Sequence, residues 1–166
     1  MKTKQLFVSV MMGLGLLMSA ASFAATPECV DDQGNLLPLN DAQAIAYKTN
    51  TPNGSTSRVH VSGPITQVYA IESGHNHFEI SLGNASGDTL EVVYNISFGA
   101  LPALKTGMKV EVCGDFINSY APENGYQASP DGTIVHWIHK TDSKNHPAGF
   151  TIVNGVLYGQ GNGSGS

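Results

Sequence analysis

The sequence predicts a mainly β fold: a small OB-like β-barrel with a short N-terminal helix and a C-terminal β-hairpin. Three observations carry that prediction. Apolar and polar residues alternate in several separate runs, the period of half-buried strands. Gly, Pro, Asn and Asp punctuate the chain between those runs at strand-length intervals. Asn154-Gly155, between Thr151-Ile152-Val153 and Val156-Leu157-Tyr158, is a strong two-residue hairpin signal, because both turn positions need a left-handed backbone.

Residues 1–24 read as a secretory signal peptide. Lys2 and Lys4 give its positive start, Leu6 through Leu17 its apolar core, and Ser22-Phe23-Ala24 a small-residue cleavage site. That apolar stretch is shorter than the ~20 residues a spanning helix needs, so the cleaved chain is expected to be soluble, either periplasmic or secreted. Residues 25–57 form an N-terminal segment. It holds a polar turn, Asp31–Asn35, and a short helix, Asp41–Lys48, capped by Asn40 with Asp41 at its positive end and Lys48 at its negative end. Thr49–Ser57, with Pro52 and Gly54, is a loop. Cys29 and Cys113 are an even pair in an exported chain and are expected to form a disulfide; two free thiols are the alternative.

Residues 58–158 form the β domain. Val59 and Val61 alternate with Arg58 and His60, then Gly63-Pro64 bends the run before Ile65–Ile71. Phe78, Ile80 and Leu82 define a second strand, and Leu90, Val92 and Tyr94 a third. Met108, Val110 and Val112 define another, which Gly114 is expected to bend or bulge. Thr133–His139 is rich in β-branched residues and reads as a strand. The bent first strand and the Leu-Lys-x-Gly-Met-x-Val-x-Val-x-Gly run are OB-like, although SH3-like barrels share such patterns. The Gly/Ser-rich tail, 159–166, is expected to be disordered.

Composition excludes some functions. The formal net charge is −5, and losing Lys2 and Lys4 makes the mature chain more acidic. The remaining cations are scattered, which argues against binding double-stranded nucleic acid, where phosphate neutralisation supplies most of the affinity. There is no nucleophile elbow, Walker loop, dinucleotide fingerprint or Cys-x-x-Cys.

The chemistry-bearing stretch is Val135-His136-Trp137-Ile138-His139, followed by Asp142, His146 and Gly149; it holds the only tryptophan. Imidazole titrates near neutrality and is the commonest metal ligand. Strand alternation, however, places His136 and His139 on opposite faces unless the strand breaks at Trp137. His75 and His77 share a face by the period of two, but a solvated polar face explains them more simply. For His136 the plainer role is a core histidine bonded to a carbonyl; for Trp137, a core or barrel-end aromatic; for Asp142 and His146, turn chemistry. Asp115, Glu111 and Glu123 show no pairing in their spacing, and Tyr69, Tyr94, Phe98, Tyr120 and Tyr126 suit either a stacking face or interior filling.

Val61–Val68, His75-x-x-Phe78, Asn95-Ile96, Leu104-Lys105-x-Gly107 and Gly132-x-Ile134-x-His136-Trp137-x-His139 resemble an exported bacterial family known only as a domain of unknown function. The similarity continues through Asp142, His146, Gly149, Asn154-Gly155 and Tyr158. The resemblance implies a small exported β domain, with His75, His136, His139 and His146 as candidate metal ligands and Trp137, Asp142 and Asn95 as candidate ligand contacts. It does not extend to His60 or His77. The family usually has a histidine where this chain has Tyr94, an aspartate at Ser97 and a tryptophan at Phe150. If that histidine were an essential ligand, this chain would be a variant or inactive form.

Two functions are consistent with these residues. One is an exported binding module whose histidine-rich site holds a small ligand, a protein partner or a metal, with zinc or copper best suited to imidazole. The other is a metal-dependent hydrolase acting on phosphodiesters, nuclease-like, with histidines as ligands or base. The scarcity of nearby carboxylates and the acidic charge favour the first.

Overall fold

The computed structural model describes residues 26–124, 127–141, 143 and 146–161. The expected signal peptide, Tyr126, Asp142 and residues 162–166 lie outside the described residues. One helix, α1 (Asp41–Asn50), precedes seven strands: β1 (Thr56–Val68), β2 (His75–Ser81), β3 (Thr89–Asn95), β4 (Lys109–Asn118), β5 (Thr133–His136), β6 (Phe150–Val153) and β7 (Val156–Tyr158). Asn40 caps α1 by accepting from Gln43 N, as its position predicts. The helix packs on β1 and β4, burying Ala44 and setting Tyr47 against Phe116.

The strands follow the order β1-β2-β3-β5-β4-β6-β7, and an additional β1–β4 pairing closes the first five into a barrel. All pairings are antiparallel except β3–β5. Side-chain alternation sends Val59, Val61, Ile65, Phe78, Ile80, Leu90, Val92, Val112, Phe116 and Val135 inward, where they form one core. Tyr94, weighed in the sequence as a stacking face, is an interior residue at 0% exposure and donates its hydroxyl to Gly99 O.

Two long strands change partners partway, and this closes the barrel. β1 pairs with β4 from Thr56 to Pro64 and with β2 from Ile65 to Val68. Gly63 sits at the exchange, where a Cβ would stand 1.9 Å from Ser81 O. The expected bend at Gly63-Pro64 is therefore a close crossing, and the register shift falls after it, between Ile65 and Gln67. The strand also ends at Val68, short of the expected Ile71. β4 divides one edge between two partners, β5 along Asp115–Asn118 and β6 along Val110–Cys113.

Gly114 marks that division. It keeps regular register with Val59, so the expected bend or bulge is absent. A Cβ there would stand 2.4 Å from His136 O and 2.5 Å from an Ile138 methyl. Glycine is required for close approach.

At the end of the domain, Asn154 (φ 49°) and Gly155 (φ 81°) turn β6 into β7 as expected. Cys29 and Cys113 form the expected disulfide, buried beneath Phe150, with 5.6 Å between their Cα atoms. The tail is not free from its first residue: Gly159 O accepts from Lys140 N, and Gly161 N donates to Phe98 O. No helix among the described residues is long and apolar enough to cross a membrane.

Candidate functional site

The site lies where β4 exchanges β5 for β6, because the chain between those two strands must leave the sheet there. β5 ends at His136, and Trp137 takes a left-handed backbone at φ 53°. The expected strand through His139 therefore breaks at Trp137. That break removes the alternation that would have separated His136 from His139, and it lets Ile138 turn into the core at 0% exposure. Thr151 Oγ1 donates to Ile138 O and Gly149 N to His139 O, fixing the returning segment against β6. Trp137 does not pack in the core. Its indole is 40% exposed.

The four candidate histidines gather around this break from separate elements. His75 begins β2 immediately after the tight Ser73-Gly74 turn, and its ring centre stands 5.5 Å from that of His136. Trp137 lies 6.2 Å from His136, 5.4 Å from His139 and 4.5 Å from His146. Phe98, in a 3-10 turn (Ile96–Phe98) after β3, stacks on His139 at 3.5 Å and 12°. Asn95 pairs with His75 across β2–β3, but its side-chain oxygen caps that turn through Ser97 N. The resemblance-derived residues thus converge, apart from Asp142, which lies outside the described residues.

Hydrogen bonding divides the histidines chemically. His75 Nδ1–H donates to Ser73 O (2.9 Å) and His139 Nδ1–H to Lys140 O (2.7 Å), an arrangement that leaves the Nε2 lone pairs for a ligand. Among the described residues His136 makes no carbonyl bond, and its Nε2 is buried without a hydrogen-bond partner. Burial, reinforced by the other imidazoles, pushes His136 down to about 4, so its ring is neutral at physiological pH. Burial also lowers the pKa of His139. His146 differs from all three. Both of its ring nitrogens are hydrogen-bonded, Nδ1 with Pro147 O (2.8 Å) and Nε2 with Asp115 Oδ2 (2.6 Å). His146 stands 4.5 Å from Trp137, ring centre to ring centre, with both nitrogens already engaged.

Behind His146 stands an ion pair, buried on its Arg58 side and partly exposed at Asp115, that sequence patterning missed. Asp115 Oδ1 accepts from Arg58 at 2.8 Å, and the same guanidinium donates to Ala148 O and Val30 O. Arg58 is only 4% exposed, although alternation with Val59 reads as an outward face. The available signal was a lone aspartate inside the apolar run Val110–Ile117. His77 is also nearer than expected. Its ring lies 6.3 Å from His75, and its Nδ1–H donates to Glu91, itself 5% exposed and bonded by Ser129 Oγ. Among the described residues, no three His, Cys, Asp or Glu side chains are grouped so as to hold one metal ion. The remaining candidates serve elsewhere: Glu111 bonds His60, and Glu123 bonds Asn53.

No curated protein matches the chain. A family model does, over residues 18–159, and its description is a protein of unknown function. That span takes in the whole barrel, the Trp137 break and the hairpin. The chain belongs to the family DUF3465.

Proposed function

We propose that this protein is an exported β-barrel module, periplasmic or secreted, that binds a transition-metal ion at its histidine-rich end. The supporting observation is the pair His75–His136. A metal–imidazole bond of ~2.0–2.1 Å places each ring centre about 3.2 Å from the ion, so two rings sharing one ion stand about 5.2–6.4 Å apart. The observed separation is 5.5 Å. One member of the pair is a neutral ring whose buried Nε2 has no hydrogen-bond partner among the described residues, a costly arrangement that a metal bond would relieve. His139, Trp137 and Phe98 line the adjacent rim. A buried disulfide fits an oxidising compartment.

Binding is favoured over hydrolysis because the carboxylates described around the site are already engaged, Asp115 by Arg58 and His146 and Glu91 by His77 and Ser129. Calorimetric titration of Zn²⁺ and Cu²⁺ into the untagged, disulfide-intact protein at neutral pH tests the proposal. One ion per chain is expected, and either His75→Gln or His136→Gln should weaken it by about 100-fold or more. Affinities unchanged in both variants would leave the histidines a structural role only.

A further inference from the structure

A continuous line of contacts joins the disulfide to the histidine end of the barrel. Arg58 pairs with Asp115 across β1–β4, and Asp115 pairs with His136 across β4–β5. Residues paired in this way share one face of the sheet, so the three form a row. The Arg58 guanidinium donates to Asp115 Oδ1 at 2.8 Å and to Ala148 O at 2.9 Å, and it reaches Cys113 Sγ at 3.4 Å. Asp115 Oδ2 lies 2.6 Å from His146 Nε2, and the His146 ring stands 4.5 Å from Trp137, where β5 breaks.

A second route runs through backbone. A Cβ on Gly149 would stand 2.4 Å from Cys113 O and 2.1 Å from Trp137 O, so the disulfide-bonded residue and the turn are packed against the same glycine. A displacement of Cys113 is passed to the Trp137 turn, because close-packed backbone has no rotamer with which to absorb it.

The segment before α1 covers this line. Val30 O accepts from Arg58 Nε at 3.4 Å, Val30 bridges to Leu36, and Leu37 N bonds Cys29 O. From residue 26 through residue 37 only Cys29 is buried. A strap with so little apolar burial has little local stability of its own, so the S–S bond is its principal anchor.

We propose that this strap is a redox-dependent clamp: the histidine site holds its metal tightly only when the Cys29–Cys113 bridge is closed, and Arg58 carries the effect to Asp115 and the Trp137 turn. The proposal rests on the metal-binding reading above and adds the regulation of that site. Closure oxidises two thiols: one S–S bond forms, and two protons and two electrons pass to a disulfide oxidant, which leaves as two thiols. With the bridge open, Arg58 loses the cover of the strap and is hydrated, and the Asp115–His146 contact no longer fixes the turn that follows His136. Arg58 is a positioning residue, since it acts on the imidazoles through Asp115.

The test compares the wild-type mature chain with Cys29→Ser/Cys113→Ser and with Arg58→Gln and Arg58→Lys, the last two keeping the bridge. Zn²⁺ is titrated into each by calorimetry at neutral pH, and the emission of the single tryptophan is recorded without metal. The double cysteine variant and Arg58→Gln should bind Zn²⁺ about 10–100-fold more weakly than wild type, with red-shifted emission. Arg58→Lys keeps the charge but not the fork, and should fall between. Val110→Ala, a core truncation at the start of β4, should lower the melting temperature yet leave affinity and emission at wild-type values, which separates positioning from general stability. Far-UV circular dichroism reports whether each variant folds; if the double cysteine variant does not, Arg58→Gln decides alone. Unchanged Zn²⁺ affinity in either folded variant would overturn the proposal and leave the metal-binding reading in place. If the wild type binds neither Zn²⁺ nor Cu²⁺, both fail together.

Discussion

Replacing Gly149 with alanine tests the architecture that creates the site. Gly149 begins the return from the Trp137 break into β6, and its backbone N–H bonds His139 O at 2.7 Å. A Cβ at Gly149 would stand 2.1 Å from Trp137 O, 2.4 Å from Cys113 O and 2.9 Å from Ile138 Cα. Carbon–oxygen contacts ordinarily open to about 3.3 Å, so relief requires roughly 1 Å of movement away from two carbonyls at once. Both carbonyls belong to backbone that is held elsewhere: Cys113 by β1 and the disulfide, Trp137 by the strand before it. Overpacking that no side-chain rotation can relieve costs about 3 kcal/mol, the upper end of the usual range. For a domain of this size that is a fall of roughly 10–15 °C in melting temperature. Gly87→Ala is the control, since nothing lies within 4 Å of its Cβ position, and it should stay within about 0.5 kcal/mol of wild type. Thermal unfolding followed by circular dichroism compares the three proteins. A Gly149→Ala melting point within about 3 °C of wild type would mean the β4–β5–β6 junction is not packed as argued.

Asp115→Ala leaves the Arg58 guanidinium, 4% exposed, without its counter-charge, and should cost about 3 kcal/mol in urea unfolding while shifting Trp137 emission. The double variant Cys29→Ser/Cys113→Ser opens a loop with a sequence separation of 84 and should lose about 4.5 kcal/mol in the chain-entropy treatment, read as a lower urea midpoint. Asp131 supplies a pH signature. Burial first, then its bond to Glu79, pushes it up to about 7, while that bond holds Glu79 below its ordinary value. The folded chain therefore retains the Asp131 proton where the unfolded chain has lost it; this stability is complete below about pH 4 and is lost as pH rises through 7. Asp131→Asn should show a smaller fall in stability between about pH 5 and pH 8 than wild type, and equal falls in urea titrations would contradict the assignment.

Local rules made some elements readable. Phe78 and Ile80, or Val110 and Val112, alternate because each strand buries one face, and no distant partner is needed to see that. Asn40 and Asn154-Gly155 act through their own backbone, so the helix start and the hairpin were readable as well. The partner exchanges were not. Gly63 and Gly114 look like bends because glycine in a strand usually relaxes geometry. Here each permits contact with backbone distant in sequence, Ser81 O and His136 O, and one-dimensional spacing carries no record of such contacts.

The candidate site could be read from the sequence only as a cluster of residues, not as a geometry. Alternation along Thr133–His139 correctly placed Val135 opposite His136, then failed at Trp137, a residue type with no preference for a left-handed backbone. What forces the turn is β4. Its edge is taken by β6 from Cys113 back to Val110, so a straight continuation of β5 beyond His136 would collide with Phe150 and the residues after it. The chain must leave the sheet at that point, and the turn carries Trp137 outward and Ile138 inward. The same constraint explains why Tyr94 does not replace a site residue. β3 sends that side chain into the core, whereas the alternation that buries Phe78 and Val135 sends His75 and His136 the other way. A histidine at position 94 would therefore enter the barrel interior, on the opposite side of the sheet from the imidazole pair. Its absence leaves the His75–His136 pair complete.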